Sequence, residues 1–189
     1  ILEKKQINIE NLFLLASKNS EGKKINFLGK DHTVSNLEQF DFSKVKIAFF
    51  AAGSSIAEKW APIAAEKTIV IDNSKFFRKD PEIPLVVPEV NSKELPKFKN
   101  KNIIANANCS VIPIVVALKP LHDLYNVKRI VASTYQSVSG AGKDGMDELI
   151  SQTKEVLENK KVESKNFTKQ IAFNAIPHID SFLENGSTK

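Results

Sequence analysis

A chain of 189 residues, 42% hydrophobic and 26% charged, has the makeup of an ordinary folded protein and enough apolar material for one domain or parts of two. Its longest apolar run, Val111 to Leu118, is closed by Lys119 and Pro120 and falls far short of the roughly eighteen residues a membrane span needs. The net charge of +5 comes from scattered lysines with no aromatic interleaving, which argues against a nucleic-acid partner, and a single cysteine excludes a disulfide framework or a cysteine-built metal site. A reducing, cytoplasmic setting is the expectation that follows.

In chain order, Asn11 to Ser17 reads as a short buried strand, followed by a turn around Gly22. Lys44 to Ala51 is a second strand and leads through Ala52-Gly53-Ser54-Ser55 into a helix over Ile56 to Lys67. Thr68 to Asp72 is a third strand, Pro84 to Val90 is extended between prolines, and Lys101 to Ala105 is a fourth strand. Strands apolar on both faces and separated by helices predict a parallel sheet covered on both sides, with Gly53, Asn73 and Asn106 at the strand ends where such sheets bind ligands. A helix is predicted after Cys109, capped by Ser110, with a kink or early stop at Pro120. Gln136 to Gly145 is a Ser/Gly loop, Asp144 to Asn159 an amphipathic helix, and Phe167 to Ile176 extended. The tail from Glu184 carries no structural signal. The opening Ile1-Leu2 reads like the end of a helix, as though the chain were part of a longer protein.

Two places carry chemistry. Cys109, between a strand and a helix start, meets unpaired backbone donors and the positive end of the helix dipole. These favour a thiolate and would stabilise an oxyanion formed by its attack on a carbonyl, although a lone cysteine beside an apolar helix also suits plain packing. Ser133 to Gly142 lets a ligand approach the backbone closely, and reads equally as a connector. Ala52 to Ser55 and Arg78 suit a phosphate-bearing ligand. His32, His122 and His178 have no ligand-like spacing, and Asp144, Asp147 and Glu148 read as carboxylates satisfying the dipole of a first helical turn.

The run Asn106-Ala107-Asn108-Cys109-Ser110, then Leu118-Lys119-Pro120-Leu121, then Ser133 to Gly142 (STYQSVSGAG), resembles the bacterial aspartate-β-semialdehyde dehydrogenases. Val70 to Arg78 (VIDNSKFFR) and Phe173 to Pro177 (FNAIP) extend the likeness over essentially the whole chain. The resemblance implies an α/β fold: a partial Rossmann-like parallel sheet over residues 1–108, then part of an α+β catalytic and dimerisation domain over 109–189. It implies an NADP-dependent phosphorylating oxidoreductase that interconverts aspartyl phosphate and aspartate semialdehyde plus phosphate through a cysteine thioester. That reaction lies on the route to lysine, through diaminopimelate, and to threonine and methionine, and the enzymes work as homodimers or tetramers. By this likeness Cys109 is the nucleophile and Gln136 orients the reacting groups. Arg78 and Asn108 hold phosphate, and Ser17, Ser20, Gly53, Ser54, Ser139, Gly140 and Gly142 contact the cofactor.

The sequence departs from the family where Ala107 replaces a usual proline and Asn19 a usual arginine near the ribose 2′-phosphate. The family's glycine-rich first loop, catalytic histidine and substrate-binding glutamate, lysine and arginine have no match. The expectation is therefore a piece of the enzyme that binds dinucleotide poorly, turns over little and leaves a sheet edge exposed; the alternative is a non-catalytic remnant with a structural or binding role.

Overall fold

The computed structural model describes residues 8–179 and 182–188, so the helix end read at Ile1-Leu2 lies outside the described residues. The chain divides into two compact units, Ile1–Arg129 and Ile130–Lys189, downstream of the domain boundary read at 108/109. The first unit runs β1 (Leu14–Ala16), β2 (Lys24–Phe27), β3 (Lys30–Asn36), β4 (Ile47–Phe50), α1 (Ser54–Ala65), β5 (Ile69–Asp72), β6 (Leu85–Val86), a one-turn α2 (Pro88–Asn91), β7 (Ile103–Asn106) and α3 (Val111–Tyr125).

Four strands form the parallel sheet predicted from the apolar runs, in the order β4-β5-β7-β6. The register sets Ala48, Val70 and Ile103 in one row and Phe50, Asp72 and Ala105 in the next, all on one face. Ala57, Ala61 and Ala64 of α1 are buried in the same core. Their small side chains let the helix lie close to the sheet, where burial of apolar area is worth about 25 cal/mol per Å². Coverage of both faces does not hold at β4: Ile47 and Phe49 on its other face are 49% and 65% exposed. No neighbouring strand pairs with the outer edge of β4 among the described residues.

A smaller sheet, β1-β3-β2, precedes this one, with β1 parallel to β3 and β2 and β3 forming an antiparallel hairpin. The hairpin turn is Leu28-Gly29, both at positive φ (49° and 75°). A two-residue turn of this hand suits the twist of the strands but usually announces itself by Asn or Asp at its first position. With leucine there, the sequence reading had no expectation for these strands.

Other departures are local. The segment read as extended from Pro84 to Val90 pairs only at Leu85–Val86 and then turns into α2, which Pro88 starts with its φ already set. α3 passes through Pro120 and ends at Tyr125, closed by Asn126 in a left-handed conformation with its N–H on the His122 carbonyl. One proline removes one helical hydrogen bond; here the helix is already nine residues long and continues.

The second unit has irregular chain to Ser137, one tight turn over Val138–Ala141, and α4 (Gly142–Leu157). Gly142 takes φ 79°, so the Ser/Gly loop converts to helix two residues earlier than Asp144. Residues 167–176, read as extended, form turns instead: Asn174 donates to the Ile171 carbonyl and Phe173 has φ 56°. The tail is ordered by a bridge between Phe182 and Thr188 around Gly186.

Candidate active site

The site of the first unit is built on the carboxyl ends of its parallel strands. β4 leads to Gly53 and Ser54, β5 to Asn73 and Arg78, and β7 to Asn108 and Cys109. In a parallel sheet these ends share one edge, where the loops are free to hold a ligand. Gly53 has φ 89°, and a side chain added there would meet nothing within 4 Å, so the backbone at the start of α1 lies open to approach. These features fit a dinucleotide lying along the edge, its phosphates near the N-terminus of α1.

Behind that edge the loops are tied together by hydrogen bonds. Asp72, fully buried, accepts from the N–H and the hydroxyl of Ser74 at 3.0 and 2.7 Å. This fixes the turn that follows β5. Arg78 Nε donates to the Asn106 carbonyl (2.9 Å) and its Nη2 to the Asn73 carbonyl (3.2 Å). Asn106 Nδ2 donates to Asn73 Oδ1 at 2.7 Å. The sequence reading noted both asparagines as small polar residues at strand ends and missed that they bond to each other, because only the sheet order brings β5 beside β7.

Cys109 is exposed in the turn between β7 and α3. The cap of this helix is Asn108 and not Ser110. Asn108 Oδ1 accepts from the Ser110 N–H (2.9 Å), and its carbonyl accepts from Val111 (3.0 Å) and Ile112 (3.1 Å). Ser110 itself is helical and makes no side-chain cap bond. Ser110 has no free donor at cap spacing: the Ile112 N–H is taken by the Asn108 carbonyl and Pro113 has no N–H. Cys109 therefore lies two residues before the first residue of α3, Val111, at the positive end of a fifteen-residue helix. The donors of Ser110, Val111 and Ile112 are taken by Asn108, so they do not serve an oxyanion. Asn108 keeps its Nδ2 amide available as a donor.

Ser17 directly follows β1 and, through its carbonyl, accepts from the Ser20 N–H at 2.9 Å. The Ser20 hydroxyl accepts from Lys23 Nζ at 3.3 Å. In the second unit Gln136 is exposed, and its Oε1 accepts from the Thr134 hydroxyl at 3.2 Å. Ser139 and Ser137 share a hydroxyl hydrogen bond of 2.6 Å, and Ser139 and Gly140 lie in the turn that leads into Gly142 at the N-terminus of α4. Cys109, Arg78 and Asn108 thus belong to the first unit, Gln136 and the Ser139–Gly142 stretch to the second.

The second unit also holds a buried polar network. Glu148, read as a carboxylate satisfying the dipole of a first helical turn, is buried and accepts from the N–H groups of Lys165 (2.9 Å) and Asn166 (2.6 Å). Gln152, 1% exposed, donates to Glu148 (2.9 Å) and accepts from the N–H groups of Ile171 (2.8 Å) and Ala172 (3.2 Å). Burial pushes the Glu148 carboxyl up, but the donors of Lys165 and Asn166 outweigh it and hold the group below the ordinary value of 4.5. Its signal in the sequence is the i, i+4 polar pair Glu148 and Gln152 on a helix that also carries apolar residues at helical spacing.

Two family models match the chain: the NAD binding domain of semialdehyde dehydrogenase over residues 1–98 and the dimerisation domain of semialdehyde dehydrogenase over residues 118–189. Among curated proteins, aspartate-semialdehyde dehydrogenase 2 of Vibrio cholerae is 54% identical over all of this chain and 56% of its own length. Among solved structures, aspartate semialdehyde dehydrogenase II from Vibrio cholerae complexed with ASA superposes with a TM-score of 0.96 at 53% identity, covering 100% of this chain and 56% of that one. A Candida albicans aspartate semialdehyde dehydrogenase with NADP gives a TM-score of 0.51 at 27% identity over 62% of this chain and 40% of that one. The chain spans little more than half the length of the curated relative it matches. With one family model covering more than half of its residues and a second covering most of the remainder, the chain belongs to the semialdehyde dehydrogenase family.

Proposed function

We propose that this chain carries the nucleophile and part of the cofactor edge of an aspartate-semialdehyde dehydrogenase that works through a cysteine thioester. The observation that carries the reading is Cys109, exposed in the turn just before α3 and framed by Asn108, with Arg78 bonded to the strand end three residues before it. The sulfur of Cys109 adds to the carbonyl carbon of an aspartyl phosphate, the carbon–oxygen bond to phosphate breaks, and inorganic phosphate leaves with the electron pair. The guanidinium of Arg78, with two N–H groups on backbone carbonyls, offers its remaining N–H groups to the phosphate, and Asn108 adds its Nδ2 amide. Gln136 orients the acyl group through its side-chain amide. A nicotinamide cofactor, when bound, supplies the hydride that turns the thioester into aldehyde.

Ser17, Ser20, Gly53, Ser54, Ser139, Gly140 and Gly142 are the residues that would hold that cofactor. NADP is the preferred form in this reading, with Lys18 and Ser20 beside Asn19 meeting the 2′-phosphate; the relative complexed with NADP supports the choice. The match to a dimerisation domain supports a homo-oligomer. Residues 1–108 supply cofactor binding and 109–189 catalysis and association, in the cytoplasm.

The test uses the half-reaction that needs no cofactor. Incubation of the chain with aspartyl phosphate leaves an acyl group on Cys109, seen by peptide mass mapping and released by hydroxylamine, and Cys109→Ser abolishes it. A chain that acquires no acyl group, or acquires it at other residues, overturns the proposal and favours a remnant with a structural or binding role.

A further inference from the structure

We infer that Asn73 and Asn106 are positioning residues for the Cys109 sulfur, acting as one unit through the hydrogen bond between their amides. The inference rests on the thioester reading of Cys109. β7 ends at Asn106, and only Ala107 and Asn108 separate it from the cysteine. Ala107 is buried, and Asn108 is committed to capping α3, so the direction in which the chain leaves Asn106 sets where the sulfur arrives.

That direction is held at two points. The Asn106 side chain donates to Asn73 Oδ1 at 2.7 Å, and the Asn106 carbonyl accepts from Arg78 Nε at 2.9 Å. Asn73 is held in turn: its N–H donates to the Phe50 carbonyl (2.8 Å), its own carbonyl accepts from Arg78 Nη2, and its neighbours Asp72 and Ser74 are buried and bonded to each other. The links run without a break from the floor of the sheet to the turn that carries the cysteine. The amide pair itself is exposed to solvent, so water competes for both groups and its effect on folding is small. Its effect on the position of an exposed sulfur three residues away is not diluted in that way, because a displacement of about 1 Å is enough to spoil a reacting geometry.

The experiment measures iodoacetamide alkylation of Cys109 in the 189-residue chain at about pH 7 and about pH 10, below and above the value of about 8.5 for a free thiol. Asn73→Ala and Asn106→Ala each slow the neutral-pH reaction roughly threefold or more and leave the alkaline rate unchanged, and the double variant is no slower than the slower single. The alkaline rate guards against misfolding, because a disordered cysteine turn changes it as well. Unchanged neutral-pH rates in both alanine variants, or slowing that is equal at the two pH values, overturns the inference. A wild-type thiol that reacts no faster at neutral pH than a small free thiol overturns the thioester reading as well, which separates the two failures.

Discussion

At Gly145 the absence of a side chain decides how closely α4 is approached. A Cβ there would come within 2.7 Å of the Ala141 Cβ, 3.2 Å of the Val138 carbonyl and 3.3 Å of the Phe167 ring. Alanine in a helix interior is worth about 1 kcal/mol more than glycine, but overpacking against a backbone carbonyl and the Ala141 methyl costs about 1–3 kcal/mol. The clash wins, since two of the three neighbours cannot swing away. Gly145→Ala should therefore destabilise the second unit by about 1–2 kcal/mol in guanidinium unfolding. A more stable variant would show that the turn before α4 yields easily. Cys109 is the opposite kind of residue. Its place at a helix start was legible from one strand and one apolar run, whereas the identity of its cap was not: Ser110 and Asn108 are both good caps by type, and only the backbone geometry shows which one faces an unpaired N–H.

At the scale of elements, α4 inverts the usual reading of an amphipathic helix. Met146, Ile150 and Leu157 on its apolar stripe are 40%, 55% and 71% exposed, while Gly145, Glu148 and Gln152 are buried. Helical spacing over 144–159 was enough to predict the helix, yet the buried side is chosen by the loop at 163–172. Its N–H groups point at α4 and need acceptors, which Glu148 and Gln152 supply. The folded state favours the Glu148 carboxylate, so this contribution is present above pH 4.5 and is lost as pH falls through the lower folded value. Glu148→Gln replaces one acceptor by a donor facing an N–H and should cost about 1–3 kcal/mol at neutral pH. The variant should also lose part of the wild type's fall in stability on acidification, followed by denaturant unfolding at a series of pH values. An unchanged pH profile would mean that Glu148 is not the group being titrated.

For the whole molecule the exposed side of β4 has consequences. Ile47 and Phe49 stand open on an edge strand, the arrangement that invites pairing with another chain. The chain should self-associate as its concentration rises, and Phe49→Lys should raise the concentration at which this begins severalfold, read by sedimentation velocity. Association that is indifferent to this substitution would place the contact elsewhere. The family match over 118–189 gives a reason to look at the second unit in that case.

The residue pattern alone determined the parallel strands, the helices that follow β4 and β7, and the cysteine turn, because each rests on local rules: apolar runs for strands, 3.6-residue spacing for helices, small polar residues where strands end. The likeness in the cysteine and glutamine blocks identified the family for the same reason, being written in contiguous residues. The tertiary structure decided what depends on partners distant in sequence. It paired Asn106 with Asn73, turned the polar side of α4 inward, left one face of β4 open and gave the cap of α3 to Asn108. A hydrogen bond across 33 positions, or a buried glutamate answering a loop 17 residues on, has no local signature, since the free energy that selects it belongs to groups the chain brings together only on folding.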